Sequence, residues 1–233
     1  MRNDTAWHGI PMILTGVRIL VADDEPFTRS VVETTLRKMG AAVTACGDGR
    51  QALDIIAATP HFDIVLLDFM MPWAHGLYVL KQIRMGATQL PAGVPVGIFT
   101  SSNEETTVSL SIALDCDAFL VKPVDRVSLM ERLGRLLSRR GRAPQPPERY
   151  ERVDVGPPNE IMAPAAGALA LTPRLVESGY HLDELRPGMV LRAPLTTVQG
   201  QEVVPAGVTL TEDLLTLLGD LGRVVHLHPA QIA

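Results

Sequence analysis

Carboxylates, a hydroxyl and an ammonium group stand directly after separate apolar runs of this chain. The set comprises an acidic pair, a lone aspartate, a threonine and a lysine: Asp23, Asp24, Asp68, Thr100 and Lys122. Three carboxylates in one pocket repel one another unless a divalent cation is present, and hard oxygen ligands suit Mg²⁺. In such a pocket Asp68 can act as a nucleophile toward phosphorus, while Mg²⁺, the Lys122 ammonium and the Thr100 hydroxyl stabilise the phosphoryl oxygens.

The elements that position these side chains follow from a regular alternation along the chain. Short apolar, β-branched runs lie at 17–22, 41–46, 63–67, 95–99 and 118–121. Segments of helical period follow them at about 26–39, 49–59, 77–85, 104–115 and 125–138. This alternation is typical of βαβ units around a parallel sheet. Because functional groups gather at the carboxyl ends of parallel strands, we expect the set to meet at one edge.

Four segments carry the most specific pattern. They read Ile-Leu-Val-Ala-Asp-Asp-Glu-Pro at 19–26, Val-Leu-Leu-Asp-Phe-Met-Met-Pro at 65–72, Ile-Phe-Thr-Ser at 98–101 and Phe-Leu-Val-Lys-Pro at 119–123. With Gly76 after the second segment, they resemble the receiver domain of two-component response regulators. The resemblance covers roughly residues 17–140. It implies an α/β fold with a (βα)5 doubly wound parallel sheet of the flavodoxin-like type.

The resemblance also implies roles for the acidic residues. Asp68 would be the phosphoacceptor of a Mg²⁺-dependent reaction. Asp24, Asp68 and the main-chain carbonyl of Met70 would bind Mg²⁺, and Asp23 would hold a metal-bound water. Lys122 would be the partner of the phosphate and of the carboxylate.

A switch and its partners are implied in the same way. Thr100 and Phe119 would be the switch pair, and a cis peptide would precede Pro123. A histidine kinase or a phosphotransfer protein would supply the phosphate. An unidentified downstream protein, or a second copy in a homodimer, would bind the face made by the fourth helix, the fifth strand and the fifth helix. We expect no enzymatic activity beyond self-catalysed phosphotransfer and autodephosphorylation.

Composition limits the remaining classes of function. The 233 residues are 46% hydrophobic and carry a formal net charge of -5, which predicts a folded chain and argues against a polyanion binder. Aromatic residues make up 4%, too few for stacking single-stranded nucleic acid. No run approaches the length of a signal peptide or membrane span, and only two cysteines occur, so we expect a cytoplasmic protein without disulfides.

Beyond the receiver-like region we expect two further units, and a short N-terminal extension (1–16) before it. Residues 141–158 contain five prolines and predict a stiff, exposed linker. Residues 159–233 predict a small β-rich module, with strands near 189–193, 202–204 and 223–227 and a helix near 211–218. This module loosely resembles those found beside receiver or HD-GYP phosphodiesterase domains. It lacks the metal ligands of the phosphodiesterase, so we expect it to contact protein.

Two alternatives remain open. The first is a DNA-binding regulator with an unrecognised C-terminal fold, and the second is a phosphorelay carrier that passes phosphate onward. Five arginines late in the receiver-like region could contact phosphates: Arg132, Arg135, Arg139, Arg140 and Arg142. We expect them instead to complement the dipole of the last helix and to remain solvated.

Overall fold

Parallel strands and helices alternate through the first part of the computed structural model. The model describes residues 14–59, 61–101, 105–143, 145–158, 180–197, 200, 202–221, 227–230 and 232. The strands are β1 (Arg18–Ala22), β2 (Ala42–Cys46), β3 (Ile64–Asp68), β4 (Val96–Thr100) and β5 (Ala118–Val121). The helices are α1 (Pro26–Lys38), α2 (Gly49–Ala58), α3 (Gly76–Arg84), α4 (Glu105–Ala113) and α5 (Arg126–Ser138).

The five strands form one parallel sheet in the order β2-β1-β3-β4-β5. Buried residues of α1 and α5 pack on one face, and buried residues of α2, α3 and α4 pack on the other. Every residue of β3 and β4 is buried, as continuous apolar strands covered on both faces require. The predicted doubly wound fold is therefore confirmed.

Local signals in the sequence set the starts of these helices. Pro26 lies in the first turn of α1, where its fixed φ and missing N–H cost nothing. Asp48 caps α2 by accepting a hydrogen bond from the Gln51 main chain. Asp125 caps α5 in the same way by accepting hydrogen bonds from Val127 and Ser128.

Most described residues of the proline-rich segment are exposed, but the segment also packs against the receiver-like part of the chain. It contains a short helix, α6 (Glu148–Glu151), from which Tyr150 projects with none of its surface exposed. Val155 is also buried, and the Lys81 ammonium of α3 donates a hydrogen bond to the Val153 carbonyl at 2.7 Å. The composition did not predict this packing, because Tyr150 and Val155 are isolated and show no apolar periodicity.

A small second unit follows. It contains β6 (Leu195–Thr196) and β7 (Glu202–Val204), which pair antiparallel, and α7 (Glu212–Leu221). The strand predicted at 189–193 is reduced to isolated bridges at Val190 and Leu191. The predictions for residues 1–13, 159–179 and 223–226 lie outside the described residues.

The second unit packs against the receiver-like part of the chain. Helix α7 contacts β5, and β7 contacts α4. Side chains from both parts, including Phe119 and Leu218, belong to one buried apolar cluster. The expectation of solvated arginines is wrong for Arg132, which is buried, whereas Arg140 keeps 48% of its side chain exposed. All five make ion pairs: Arg132 and Arg135 with Asp220, Arg139 with Asp117 and Asp213, Arg140 with Asp63, and Arg142 with Asp115 and Asp117.

The burial of Tyr150 gives a direct test of this packing. We expect Tyr150→Ala to lower the free energy of unfolding of the full chain by about 3 kcal/mol, because a buried aromatic ring is replaced by a cavity. Urea unfolding followed by circular dichroism measures this change.

The matched control is Tyr150→Phe, which removes only the hydrogen bond from the Tyr150 hydroxyl to Asp115 Oδ2 at 2.9 Å. It should cost about 1 kcal/mol. A change within about 0.5 kcal/mol for Tyr150→Ala, as at an exposed position, would mean that the segment does not pack.

Candidate functional site

The acidic residues meet where the first and third strands end. Asp23 and Asp24 follow β1, and Asp68 is the last residue of β3. Because these strands are neighbours in the sheet, carboxylate oxygens of the three residues lie within 4.8 Å of one another. Asp23 and Asp68 are buried, whereas Asp24 is exposed. The sequence therefore predicted this juxtaposition correctly.

The loop that carries the acidic pair is held from two sides. The main-chain N–H of Glu25 donates to Asp23 Oδ1 at 2.9 Å, and the Arg29 guanidinium of α1 donates to the Asp23 carbonyl at 2.5 Å. Sequence reasoning missed Arg29 as a residue that positions the site. Its only signal is a basic side chain one turn into the helix that follows the acidic pair.

Lys122 reaches the cluster from the end of β5. Its Nζ lies 2.8 Å from Asp68 Oδ2 and 3.0 Å from Asp23 Oδ2. The contact with Asp68 is a hydrogen bond, and the Lys122 side chain keeps 19% of its surface exposed. One ammonium thus partly neutralises two buried carboxylates.

Burial dominates the electrostatics of the cluster. It raises the pKa of Asp68 to about 7; Lys122 opposes this shift, and the charge of Asp23 and a side-chain hydrogen bond with Asp24 reinforce it. Burial also raises the pKa of Asp23, although Lys122 and the Glu25 main chain oppose the shift. For Lys122, burial lowers the pKa, but the two carboxylates outweigh it and the pKa is raised. Lys122 therefore stays protonated, whereas Asp68 is mostly ionised only at a pH above about 7.

The loop after β3 folds tightly back over the strand. The Gly76 N–H donates to the Phe69 carbonyl, and a Cβ at Gly76 would lie 2.3 Å from the Asp68 main-chain oxygen, so only glycine fits. His75 is buried and caps α3 by accepting a hydrogen bond from the Tyr78 main chain at its Nδ1. Met70 lies in this loop with 39% of its surface exposed.

The remaining predicted residues lie on β4 and β5. Thr100 is buried at the end of β4, and its hydroxyl donates to the Ser101 carbonyl at 3.2 Å. Phe119 is fully buried on β5, opposite Ile98. The peptide bond between Lys122 and Pro123 is cis.

The arrangement has the chemistry of a cation site. When all three carboxylates are ionised, the cluster and its one ammonium group carry two net negative charges, which a divalent cation would offset. Although Lys122 lies near it, the buried Asp23 Oδ2 has no well-directed hydrogen bond from any described residue. A hard cation, or a water bound to one, would satisfy this oxygen.

Comparison with known proteins identifies the family to which this sequence belongs. The family model for the response regulator receiver domain matches residues 19–134. The two-component response regulator ORR11 of Oryza sativa subsp. indica is 31% identical over 106 residues, which are 46% of this chain and 71% of that protein. ORR7 of Oryza sativa subsp. japonica is 30% identical over 119 residues, covering 51% of this chain and 56% of that protein.

Among solved structures, the receiver domain of the Francisella response regulator 1452 aligns with 53% of this chain and 98% of its own, at 28% identity and a TM-score of 0.47. The chain belongs to the response regulator receiver family. Among the helices of the described residues, none has the length and apolar character needed to span a bilayer.

Removing the lysine tests the electrostatic account of the cluster. Since the pKa of Asp68 is raised above its ordinary value of 3.8 to about 7, protonation of Asp68 favours folding. The stability it confers is present at low pH and is lost as the pH rises through 7. In Lys122→Met the loss of stability at high pH should be larger, because no ammonium group offsets the charge of the ionised carboxylates. Relative to the wild type, the free energy of unfolding of this variant should be lower by about 2–4 kcal/mol at pH 8 in the presence of a chelator, and by less at pH 5.

Chemical unfolding at both pH values measures these differences. Lys38→Met, an exposed lysine at the end of α1, is the control and should be nearly neutral at either pH. An equal loss for Lys122→Met at both pH values would contradict the electrostatic account.

Proposed function

We propose that this protein is a response regulator in which Asp68 accepts a phosphoryl group in a Mg²⁺-dependent reaction. The observation that carries the proposal is the contact of Asp68 Oδ2 with the Lys122 ammonium at 2.8 Å, inside a cluster of three carboxylates at the edge of the sheet. Membership of the receiver family supports the same role.

The transfer uses a phosphorylated imidazole as donor. An Asp68 carboxylate oxygen attacks phosphorus, a P–O bond forms, and the P–N bond breaks. The imidazole leaves with the bonding electron pair and takes up a proton, so the product is an acyl phosphate on Asp68. Lys122 then pairs with a phosphoryl oxygen, and the Thr100 hydroxyl donates a hydrogen bond to another.

Mg²⁺ fits the donor set of the cluster. Asp24, Asp68 and the Met70 carbonyl would bind it, and Asp23 would hold one of its waters through the Oδ2 that lacks a directed hydrogen bond. When bound, Mg²⁺ offsets the charge of the carboxylates and of the incoming phosphoryl oxygens. The chain's own part is to fix the loop that carries the acidic pair, through Glu25 and Arg29.

The signal then passes from the site to a protein surface. Thr100 and Phe119 form the switch pair of this proposal, and the domains keep their predicted limits: receiver 17–140, connecting segment 141–158 and C-terminal module 159–233. A histidine kinase or phosphotransfer protein is the donor, and the output is a change in protein contacts. The cytoplasmic location stays a prediction.

The two alternatives differ from this proposal in their partners. The five arginines that could contact DNA phosphates are engaged with aspartates of the chain, so no observation favours the DNA-binding regulator. A phosphorelay carrier shares the chemistry at Asp68. It is distinguished by transfer of the phosphoryl group from Asp68 to a second histidine protein.

The proposal predicts one phosphorylation site. Incubation of the full chain with acetyl phosphate and Mg²⁺ should add one phosphoryl group by intact mass. Asp68→Asn should abolish this addition, because the amide is not a nucleophile toward phosphorus.

Asp54→Asn is the matched control, since Asp54 is an exposed aspartate on α2 away from the cluster. This variant should gain one phosphoryl group by intact mass, as the wild type does. Undiminished labelling of Asp68→Asn would overturn the assignment, as would labelling of the wild type that is unaffected by removal of Mg²⁺.

A further inference from the structure

The loop between β3 and α3 (69–75) carries one of the oxygens proposed to bind Mg²⁺, the main-chain carbonyl of Met70. The receiver fold fixes both ends of this β3–α3 loop. The Phe69 N–H donates to the Phe99 carbonyl at 3.2 Å, and the Gly76 N–H donates to the Phe69 carbonyl at 2.9 Å. The position of the Met70 carbonyl therefore depends on what holds the residues between these two ends.

The middle of the loop has a strained backbone. Trp73 has a φ of 65°, in the left-handed region that residues other than glycine rarely adopt. The Ala74 N–H donates to the Pro72 carbonyl at 2.7 Å, which closes a three-residue turn around Trp73. The Trp73 residue keeps 65% of its surface exposed, so packing of its own ring does little to stabilise the turn. A backbone of this kind persists where neighbouring residues fix it.

The main chain of His75 ties the loop to the connecting segment (141–158). Its N–H donates to the Pro158 carbonyl at 3.0 Å. This hydrogen bond comes directly after the strained turn, and it joins residues that are far apart in the sequence. The connecting segment is thus a support for the loop that lies outside the five-stranded sheet and its helices.

The His75 ring faces the same segment. Its Nδ1 accepts a hydrogen bond from the Tyr78 main chain at 3.2 Å, so the proton of the neutral ring lies on Nε2. Burial lowers the pKa of His75, and the main-chain carbonyls of Val155 and Pro157 oppose this shift. Among the described residues, none gives the buried Nε2 a well-directed hydrogen bond. The acceptors that stabilise the Nε2 proton therefore belong to the connecting segment.

The connecting segment can serve as a support because it is itself anchored. The Lys81 ammonium of α3 donates to the carbonyls of Val153 at 2.7 Å and Glu151 at 3.3 Å. Tyr150 is fully buried, and its hydroxyl donates to Asp115. These contacts hold the segment against the receiver fold on the side of α3, next to the point where it meets His75.

We propose that His75 and the connecting segment are positioning elements of the Mg²⁺ site, because they hold the β3–α3 loop in the conformation that carries the Met70 carbonyl. The inference rests on the proposed function at Asp68. It assigns a role in metal affinity to a part of the chain that its composition predicts to be a linker. Coupling of this kind is reciprocal, so bound Mg²⁺ should also stabilise the contact of the segment with the loop.

The variant His75→Asn tests the role of the ring. Asparagine keeps the cap of α3, since its side chain can accept the Tyr78 N–H, but it lacks the ring that faces the segment. Titration calorimetry with MgCl₂ should show binding weaker by about three- to tenfold. This is less than the loss of a group hydrogen-bonded to a ligand would cause, because His75 acts through the loop. His61→Asn, the same change at an exposed histidine, should bind as the wild type does.

The variant Lys81→Met loosens the segment without changing the loop. Loss of a positive charge would by itself strengthen the binding of a cation. We expect Mg²⁺ binding to weaken by about twofold or more, a direction that only the lost contacts with the segment explain. Lys38→Met removes the same charge from an exposed position and should not weaken binding.

Hydrogen exchange of metal-free full-length chains, read by mass spectrometry, supplies a readout that needs no bound metal. Amides of the β3–α3 loop should exchange several-fold faster in His75→Asn and in Lys81→Met than in the wild type, while those of β1 stay protected. In the wild type, Mg²⁺ should slow exchange of the His75 amide, which donates to Pro158.

The outcomes separate the inference from the proposed function. If the wild type binds Mg²⁺ and both variants bind it equally well, the inference is wrong and the proposed function stands. A lower free energy of unfolding in His75→Asn with unchanged Mg²⁺ affinity and unchanged loop exchange would also overturn it, since His75 would then only stabilise the fold. If the wild type binds no Mg²⁺, the proposed function fails, and the inference fails with it.

Discussion

One ammonium group, that of Lys122, lies between two buried carboxylates at the edge of the sheet. Lys122 contacts both Asp23 and Asp68, yet it supplies a single positive charge to a cluster of three carboxylates. Burial makes the unbalanced charge expensive, as the raised pKa of about 7 for Asp68 shows. The fold maintains the cluster because it places each carboxylate at the end of a strand whose other residues are anchored in the core.

The site could be predicted because the residues directly before each of its side chains mark the position in the sequence. Asp23, Asp24, Asp68, Thr100 and Lys122 each follow a run that reads as a buried strand, and parallel strands bring such positions to one edge. The family resemblance added roles that strand pattern alone could not supply. The doubly wound sheet was predicted for the same reason, and its strand boundaries were wrong by no more than one residue at either end.

The packing of the chain beyond β5 could not be predicted from the sequence. Tyr150 is a lone aromatic among prolines, and nothing in its neighbours indicates that it fills a buried position. The five arginines of the α5 region resembled a solvated basic surface because their partners, such as Asp220 and Asp63, lie far away in the chain. Ion pairs between residues that are distant in the chain leave no periodic signal in the sequence. The pairing of these arginines therefore depends on tertiary contacts that composition does not reveal.

The contacts of α7 with β5 and of β7 with α4 cover the face that was expected to bind another protein. Strand β5 connects the carboxylate cluster with the face that α7 covers, because it carries Phe119 and is followed directly by Lys122. The carboxylate cluster is central to the proposed function, because Asp68 can accept a phosphoryl group only if the added negative charge is offset. Titration calorimetry with MgCl₂ tests this most directly. We predict one Mg²⁺ per chain in the wild type and at least tenfold weaker binding in Asp24→Asn, whereas no saturable binding, or equal binding in the variant, would contradict the account.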